Sequence, residues 1–265
     1  MYAFEYRRAA SLDEAIRLIA EREESRPLAG GQTLLPTLKQ RLAQPSRLVD
    51  VRGVPEMQGI VVGDNSVSIG AAVRHGEVAA HAGIARAIPA LAGLAAGIGD
   101  PLVRNMGTIG GSLANNDPAA DYPGAVLGLG ATLHTDRRMI PADRFFTGMF
   151  GTALEPGELL VRVEFPVPAR AGYVKFPNPA SGYVMVGAFV AQTAQGVRVA
   201  INGAGPCVFR HAGMEGALAG RFAVGALDGV VTPAEGLNSD LHATAEYRAH
   251  LVGVMARRAL AAALA

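Results

Sequence analysis

Two segments almost bare of side-chain bulk constrain this chain most: Pro27-Leu28-Ala29-Gly30-Gly31-Gln32-Thr33 and Arg104-Asn105-Met106-Gly107-Thr108-Ile109-Gly110-Gly111-Ser112. Glycine lets the backbone approach another group closely, so each reads as a tight loop whose N–H groups can close on phosphate oxygens. Either one alone is equally well an ordinary turn. The hydroxyls of Thr33, Thr108 and Ser112 stand beside the glycines, however, and the acidic turn Asn116-Asp117-Pro118-Ala119-Ala120-Asp121 follows the second segment. Together the three segments point to a diphosphate-bridged dinucleotide gripped from two sides.

The commonest dinucleotide fold is excluded by spacing. Gly97-Ile98-Gly99, Gly128-Leu129-Gly130 and Gly203-Ala204-Gly205 all lack a glycine three residues further on, so the Rossmann fingerprint is absent. No Gly-Lys-Ser/Thr ending of a phosphate-binding loop occurs either. There is no Gly-x-Ser-x-Gly elbow and no carboxylate pair at a spacing suited to acid–base catalysis, which fits a chain that leaves its chemistry to a flavin. FAD is therefore the expected cofactor. With no tryptophan in the chain, a wall for the isoalloxazine falls to tyrosine or phenylalanine, and Tyr183 is the choice, its other reading being a strand-edge core residue. Asp117 reads as a helix cap before Pro118 as readily as a ligand, whereas Asp121 lies past the cap and can accept from a ribose or an adenine amino group.

Cys207 is the single cysteine, so an internal disulfide, a zinc site or an iron–sulfur cluster cannot be built from cysteines of this chain. Cluster chemistry would belong to a partner. His242, Glu246 and His250 recur every four residues and read as a solvated helix face, so no metal is assigned. Net charge is +1 and the pairs Arg7-Arg8, Arg137-Arg138 and Arg257-Arg258 are scattered, which argues against nucleic-acid binding. The uncharged part of Ala87–Gly99 is too short to span a bilayer and contains Pro89, and Glu5, Arg7 and Arg8 break any signal-peptide core. A cytoplasmic protein is expected.

At 265 residues, half of them hydrophobic, the chain suits two domains. Strand character is read at residues 2–8, 47–51, 59–62, 67–71, 131–135 and 158–166. Helical character is read at 12–23, opened by the capping-box spacing of Ser11 and Glu14, and at 33–42, 78–98 with a break at Pro89, and 123–127. Beyond Pro168-Ala169-Arg170 the texture shifts to a strand meander (173–176, 183–193, 196–202) followed by helices at 211–218 and 241–264.

These segments resemble the FAD-binding medium subunits of the molybdenum hydroxylases, the group that includes carbon monoxide dehydrogenase and the flavin domain of xanthine dehydrogenase. The likeness rests on residues 29–36, on Ile98 to Asn105 running into Gly107 to Asn115, on Asp117 to Asp121 and on Ala245-Glu246-Tyr247-Arg248. It implies an α+β fold: a PCMH-type (vanillyl-alcohol-oxidase-like) two-lobed FAD-binding domain over 1–168, with lobes near 1–55 and 56–168, then a small α+β C-terminal domain over 169–265. By position, Leu28, Ala29, Gly30, Gly31, Gln32, Thr33 and Leu34, with Thr108, Ile109, Gly110, Gly111 and Ser112, would line FAD. Asp121 would contact its adenosine part, Leu160 and Lys175 would lie near the flavin, and Tyr183 would stack on the ring. Gln32 stands where covalent members of the wider fold place a histidine, so noncovalent FAD is implied. The implied role is electron transfer from 2Fe–2S clusters on a small subunit, reduced by a large molybdenum-cofactor subunit, in an (αβγ)2 assembly. The alternatives are a self-sufficient flavin oxidase or reductase of the same fold, and a nucleotide-binding protein without redox function. The substrate and the terminal acceptor, whether NAD, quinone or oxygen, are not legible in the chain.

Overall fold

The computed structural model describes residues 1–265, organised around three main sheets and one short hairpin. The first is parallel, with the strand Arg47–Asp50 in the centre between Glu5–Arg8 and Ser25–Leu28. All four residues of the central strand are buried, as expected where a parallel strand is covered on both faces. The second sheet is antiparallel, in the order 60–62, 66–70, 160–166, 132–135, 139–141, and the third is an antiparallel meander of Arg170–Pro177, Val184–Thr193, Gly196–Asn202 and Phe209–Arg210.

Local chemistry sets the ends of the elements. The first helix, Leu12–Ala20, starts where the Ser11 hydroxyl accepts from the Glu14 amide at 3.2 Å and ends short of the expected residue 23, the chain turning away through Glu24 at a left-handed φ of 59°. The helix expected over 78–98 is three helices, His75–Ala80, Ala82–Ala87 and Pro89–Ala96. Pro89 opens the third, as its ring demands, and His81 makes the earlier break by accepting the Ile84 amide on Nδ1. His242 lies before the Thr244 cap of the last helix, Ala245–Leu264, so it does not share a helical face with Glu246 and His250.

One large core runs under the first two sheets and their helices, and a smaller one joins the third sheet to the helices Ala212–Gly220 and Ala245–Leu264. The last helix lies flat on the third sheet because Gly172 has no side chain: a Cβ there would stand 2.0 Å from the Ala259 carbonyl oxygen. Arg248, only 4% exposed, ties the same helix down, donating from Nη1 to the carbonyls of Met185 (2.7 Å) and Gly203 (3.0 Å) and from Nη2 to Asp240 (2.7 Å). Replacing Gly172 by alanine must push helix from sheet, and overpacking of this kind costs about 2 kcal/mol. A Gly172→Ala chain is expected to show that loss in urea or thermal unfolding.

Candidate functional site

The parallel sheet ends at Leu28, and its chain runs into Ala29-Gly30-Gly31, where Gly31 takes φ +70° before the short helix Leu34–Lys39. This first loop meets the second directly. A Cβ on Gly30 would stand 2.3 Å from the Met106 carbonyl oxygen and 2.6 Å from the Gly107 Cα, and one on Gly111 would lie 3.6 Å from the Ala29 methyl. Both segments therefore line one cleft of about 720 Å³, together with Ile98, Leu160 and the turn Asp117–Asp121.

The two segments offer different groups to that cleft. The amides of Gly30, Gly31, Gln32, Thr33 and Leu34 donate to no carbonyl or side chain of the chain, which makes them a run of free N–H groups at a helix start. The second segment is not the amide loop expected from its glycines. It forms the first turn of the helix Ile109–Asn115, with Thr108 as cap: its hydroxyl accepts from the Gly111 amide at 3.1 Å. The amides of Ile109 and Gly110 are engaged by the carbonyls of Val73 (3.0 Å) and Ala71 (2.9 Å), and the Ile109 side chain is wholly in the core. Gly110 is bare because Ala71 lies where its Cβ would go, 2.5 Å away. What this segment presents to the cleft is Thr108, Gly110, Gly111 and Ser112, and Ile109 is a packing residue.

Asp121 closes the far side. It is 4% exposed, accepts from the Tyr173 hydroxyl at 2.9 Å and faces the Lys175 ammonium at 3.0 Å. Burial pushes its carboxyl up, opposed by Lys175 and Tyr173. Lys175, expected beside the ligand, is turned inward: its ammonium also donates to the carbonyls of Gly97 (2.8 Å) and Gly182 (3.0 Å), and it does not line the cleft. It anchors the hairpin that carries Tyr183. That tyrosine stands just before the strand expected to include it, is 56% exposed and lines the cleft, so it is not a core residue. Asp117 caps the turn by accepting from the Ala119 amide at 2.9 Å and lines the cleft as well.

The family described as "FAD binding domain in molybdopterin dehydrogenase" matches residues 2–168 of this sequence. The chain belongs to this family. The carbon monoxide dehydrogenase medium chain of Afipia carboxidovorans is 35% identical over 97% of this chain and 96% of its own length. The 6-hydroxypseudooxynicotine dehydrogenase complex subunit alpha of Paenarthrobacter nicotinovorans is 34% identical over 99% and 95%. In a solved structure of reconstituted CO dehydrogenase from Oligotropha carboxidovorans, one chain superposes with a TM-score of 0.90 at 32% identity, covering 99% of this chain and 98% of that one. The fold is thus the α+β, PCMH-type fold of the molybdopterin-dehydrogenase FAD domains.

Among the cleft residues of this FAD-domain chain that escaped the sequence reading are His75 and Glu158. His75 lines the cleft at 5% exposure, and nothing in its neighbourhood, Val73-Arg74-His75-Gly76-Glu77, marks it as more than a helix start. Glu158 was read as strand; it precedes the strand Leu160–Pro166, its side chain is fully enclosed, and it accepts from Arg138 at 2.9 Å, from Thr135 at 2.7 Å and from the Glu155 amide at 2.8 Å. The Arg138 guanidinium, then the Glu155 amide and the Thr135 hydroxyl, hold its carboxyl down at about 2 despite burial. A carboxyl depressed from 4.5 stabilises the fold above pH 4.5 and loses that contribution as pH falls toward 2. Glu158→Gln is expected to unfold more easily at pH 7, by roughly 2 kcal/mol, with the gap to the parent closing in melts taken between pH 4.5 and 2.

Proposed function

We propose that this chain is the FAD-carrying, electron-transfer subunit of a multi-subunit molybdenum hydroxylase, relaying electrons from 2Fe–2S clusters of a small partner to an external acceptor while a large molybdenum-cofactor subunit oxidises the substrate. The observation that carries the reading is the seam at Gly30, where five free amides and the Thr108 turn face one cleft. The relatives support the assembly, since they are named as a medium chain and as a complex subunit, which favours this role over a self-sufficient oxidase. When bound, FAD supplies a carrier that exchanges electrons one or two at a time.

The chain's own part is to hold and orient. Gly30, Gly31, Gln32, Thr33 and Leu34 take the diphosphate through backbone amides with Leu28 and Ala29 lining the cleft beside them, and Thr108, Gly111 and Ser112 add hydroxyls and open space on the opposite wall. Gly110 keeps that wall pressed to Ala71. Asp121 takes the adenosine part, while Leu160 and Tyr183 cover the flavin. Ile109 and Lys175 act from behind the cleft wall, as core and as tether. Residues 1–168 are proposed as the FAD-binding domain, with lobes near 1–55 and 56–168, and 169–265 as the C-terminal domain; the family match ending at 168 supports the division. No helix is long and apolar enough to cross a membrane. A cytoplasmic (αβγ)2 complex is part of the same proposal.

Gln32, whose amide reaches the Gly30 carbonyl at 3.4 Å, carries no nucleophile for a flavin bond, so FAD is held noncovalently. The purified protein is expected to carry one FAD per chain and to release it to the supernatant on acid precipitation. Gly30→Val must drive the two loops apart and is expected to abolish FAD retention, with a loss of stability read in thermal unfolding. Tyr183→Ala removes an exposed ring without touching the fold, and a changed flavin absorption envelope and faster FAD loss are expected. Full FAD retention in both variants would sink this reading.

A further inference from the structure

His75 is the one imidazole of the cleft, and neither ring nitrogen has a partner within the chain. Nδ1 is sealed from solvent without any hydrogen bond. Other histidines of this protein are engaged: His81 receives the Ile84 amide, His211 that of Met214, and His134 meets Glu164 at 3.1 Å. The ring of His75 is also held still. Its backbone amide donates to the Gly107 carbonyl at 3.0 Å, its plane leans on Tyr122 with centroids 5.3 Å apart, and its Nε2 presses on Gly107, where a Cβ would stand only 2.5 Å away. Nδ1 is enclosed, so the nitrogen that a group entering the cleft can engage is Nε2, which has no partner within the chain and is fixed at the junction of the two loops.

The cleft narrows what that group is. Arg26 is the only Lys or Arg side chain among the residues lining it, while Asp100, Asp117, Asp121 and Glu158 each have a partner of their own. Apart from Arg26, an anion entering here is met by neutral N–H and O–H donors. Burial, and secondarily the charge of Arg104, hold the His75 imidazole down at about 4, so at neutral pH it carries one proton and no charge.

We propose that His75 is a cofactor-binding residue, its Nε2–H donating to the diphosphate of the bound FAD beside Thr108. The proposal rests on the FAD reading above. Gly107 is then glycine for a functional reason, since any side chain there would displace the donor.

The test measures FAD, ADP and riboflavin affinities of the full chain, or of its intact complex, by flavin-fluorescence titration and competition for the parent, His75→Phe and His75→Gln. His75→Phe fills the space without a donor and is expected to weaken FAD and ADP about tenfold while leaving riboflavin, which has no phosphate, unchanged. His75→Gln keeps an N–H at similar reach and is expected to recover most of the loss. In 15N spectra of the parent, FAD or ADP but not riboflavin should shift the imidazole nitrogens. Unchanged FAD and ADP affinities in His75→Phe would overturn the proposal. So would equal losses for riboflavin, or a lowered melting point of the FAD-free chain in both variants, each of which marks a packing role. A parent that binds no FAD at all would overturn the functional reading instead.

Discussion

The architecture turns on an approach that only glycine permits, where the loop leaving the parallel sheet touches the chain leaving the helix Pro101–Met106. With Met106 O 2.3 Å from the place a Gly30 Cβ would occupy, the seam admits no side chain, and the two segments meet backbone to backbone. That contact decides the rest of the site. It sets the amides of residues 30–34, which donate to no group of the chain, beside the second segment, where a Cβ on Gly111 would lie 3.6 Å from the Ala29 methyl. The cost of five unsatisfied amides is tolerable because they face an open cleft, where water or a ligand can take them.

The cleft attracts an anion without a matching cluster of cations. Free amides and hydroxyls are fixed dipoles that need no counterion when the cleft is empty, whereas buried lysines would have to be desolvated. Two of the carboxylates lining the cleft are paired with cations of the chain itself, Glu158 with Arg138 and Asp121 with Lys175, which limits their repulsion of an anion. Such an arrangement lets the same walls stand whether or not the cleft is filled.

The sequence revealed most where chemistry is local. The Gly30–Thr33 loop, the cap at Ser11, the break at Pro89 and the strand meander 196–202 follow from residue type over a few positions, and the structure has each of them. It misled where an element is defined by what packs on it. Ser25–Leu28 is a strand because Arg47–Asp50 lies beside it, whereas Pro27 and Leu28 were read as the start of the glycine loop. Gly110 and Gly111 looked like a loop, yet they belong to a helix turn, with Gly110 required by the proximity of Ala71 and not by left-handed φ. Lys175 was expected beside the ligand, but Gly97 and Asp121 from distant parts of the chain, with Gly182 of its own hairpin, draw its ammonium inward, a geometry no spacing can announce. His75 carried no signal at all, since its significance lies in hydrogen bonds it does not make.

The C-terminal sheet completes the cleft as well as following it in the chain. The acidic turn closes on itself only through Asp117, and its course is held by the Gly203 amide donating to Pro118, the Val184 amide donating to Ala119 and the Asn202 side chain donating to Ala120, at 2.9, 3.1 and 2.7 Å. Gly187 has to be bare for this, since a Cβ there would stand 2.4 Å from Asn202 Oδ1, and Tyr173 on the neighbouring strand links the same asparagine to Asp121. The same sheet, through Lys175, also fixes the hairpin that holds Tyr183 over the opening. Both the floor at Asp121 and the cover at Tyr183 therefore hang on one meander, so the shape of the cleft is coupled to the folding of the last hundred residues through side chains that never face the ligand.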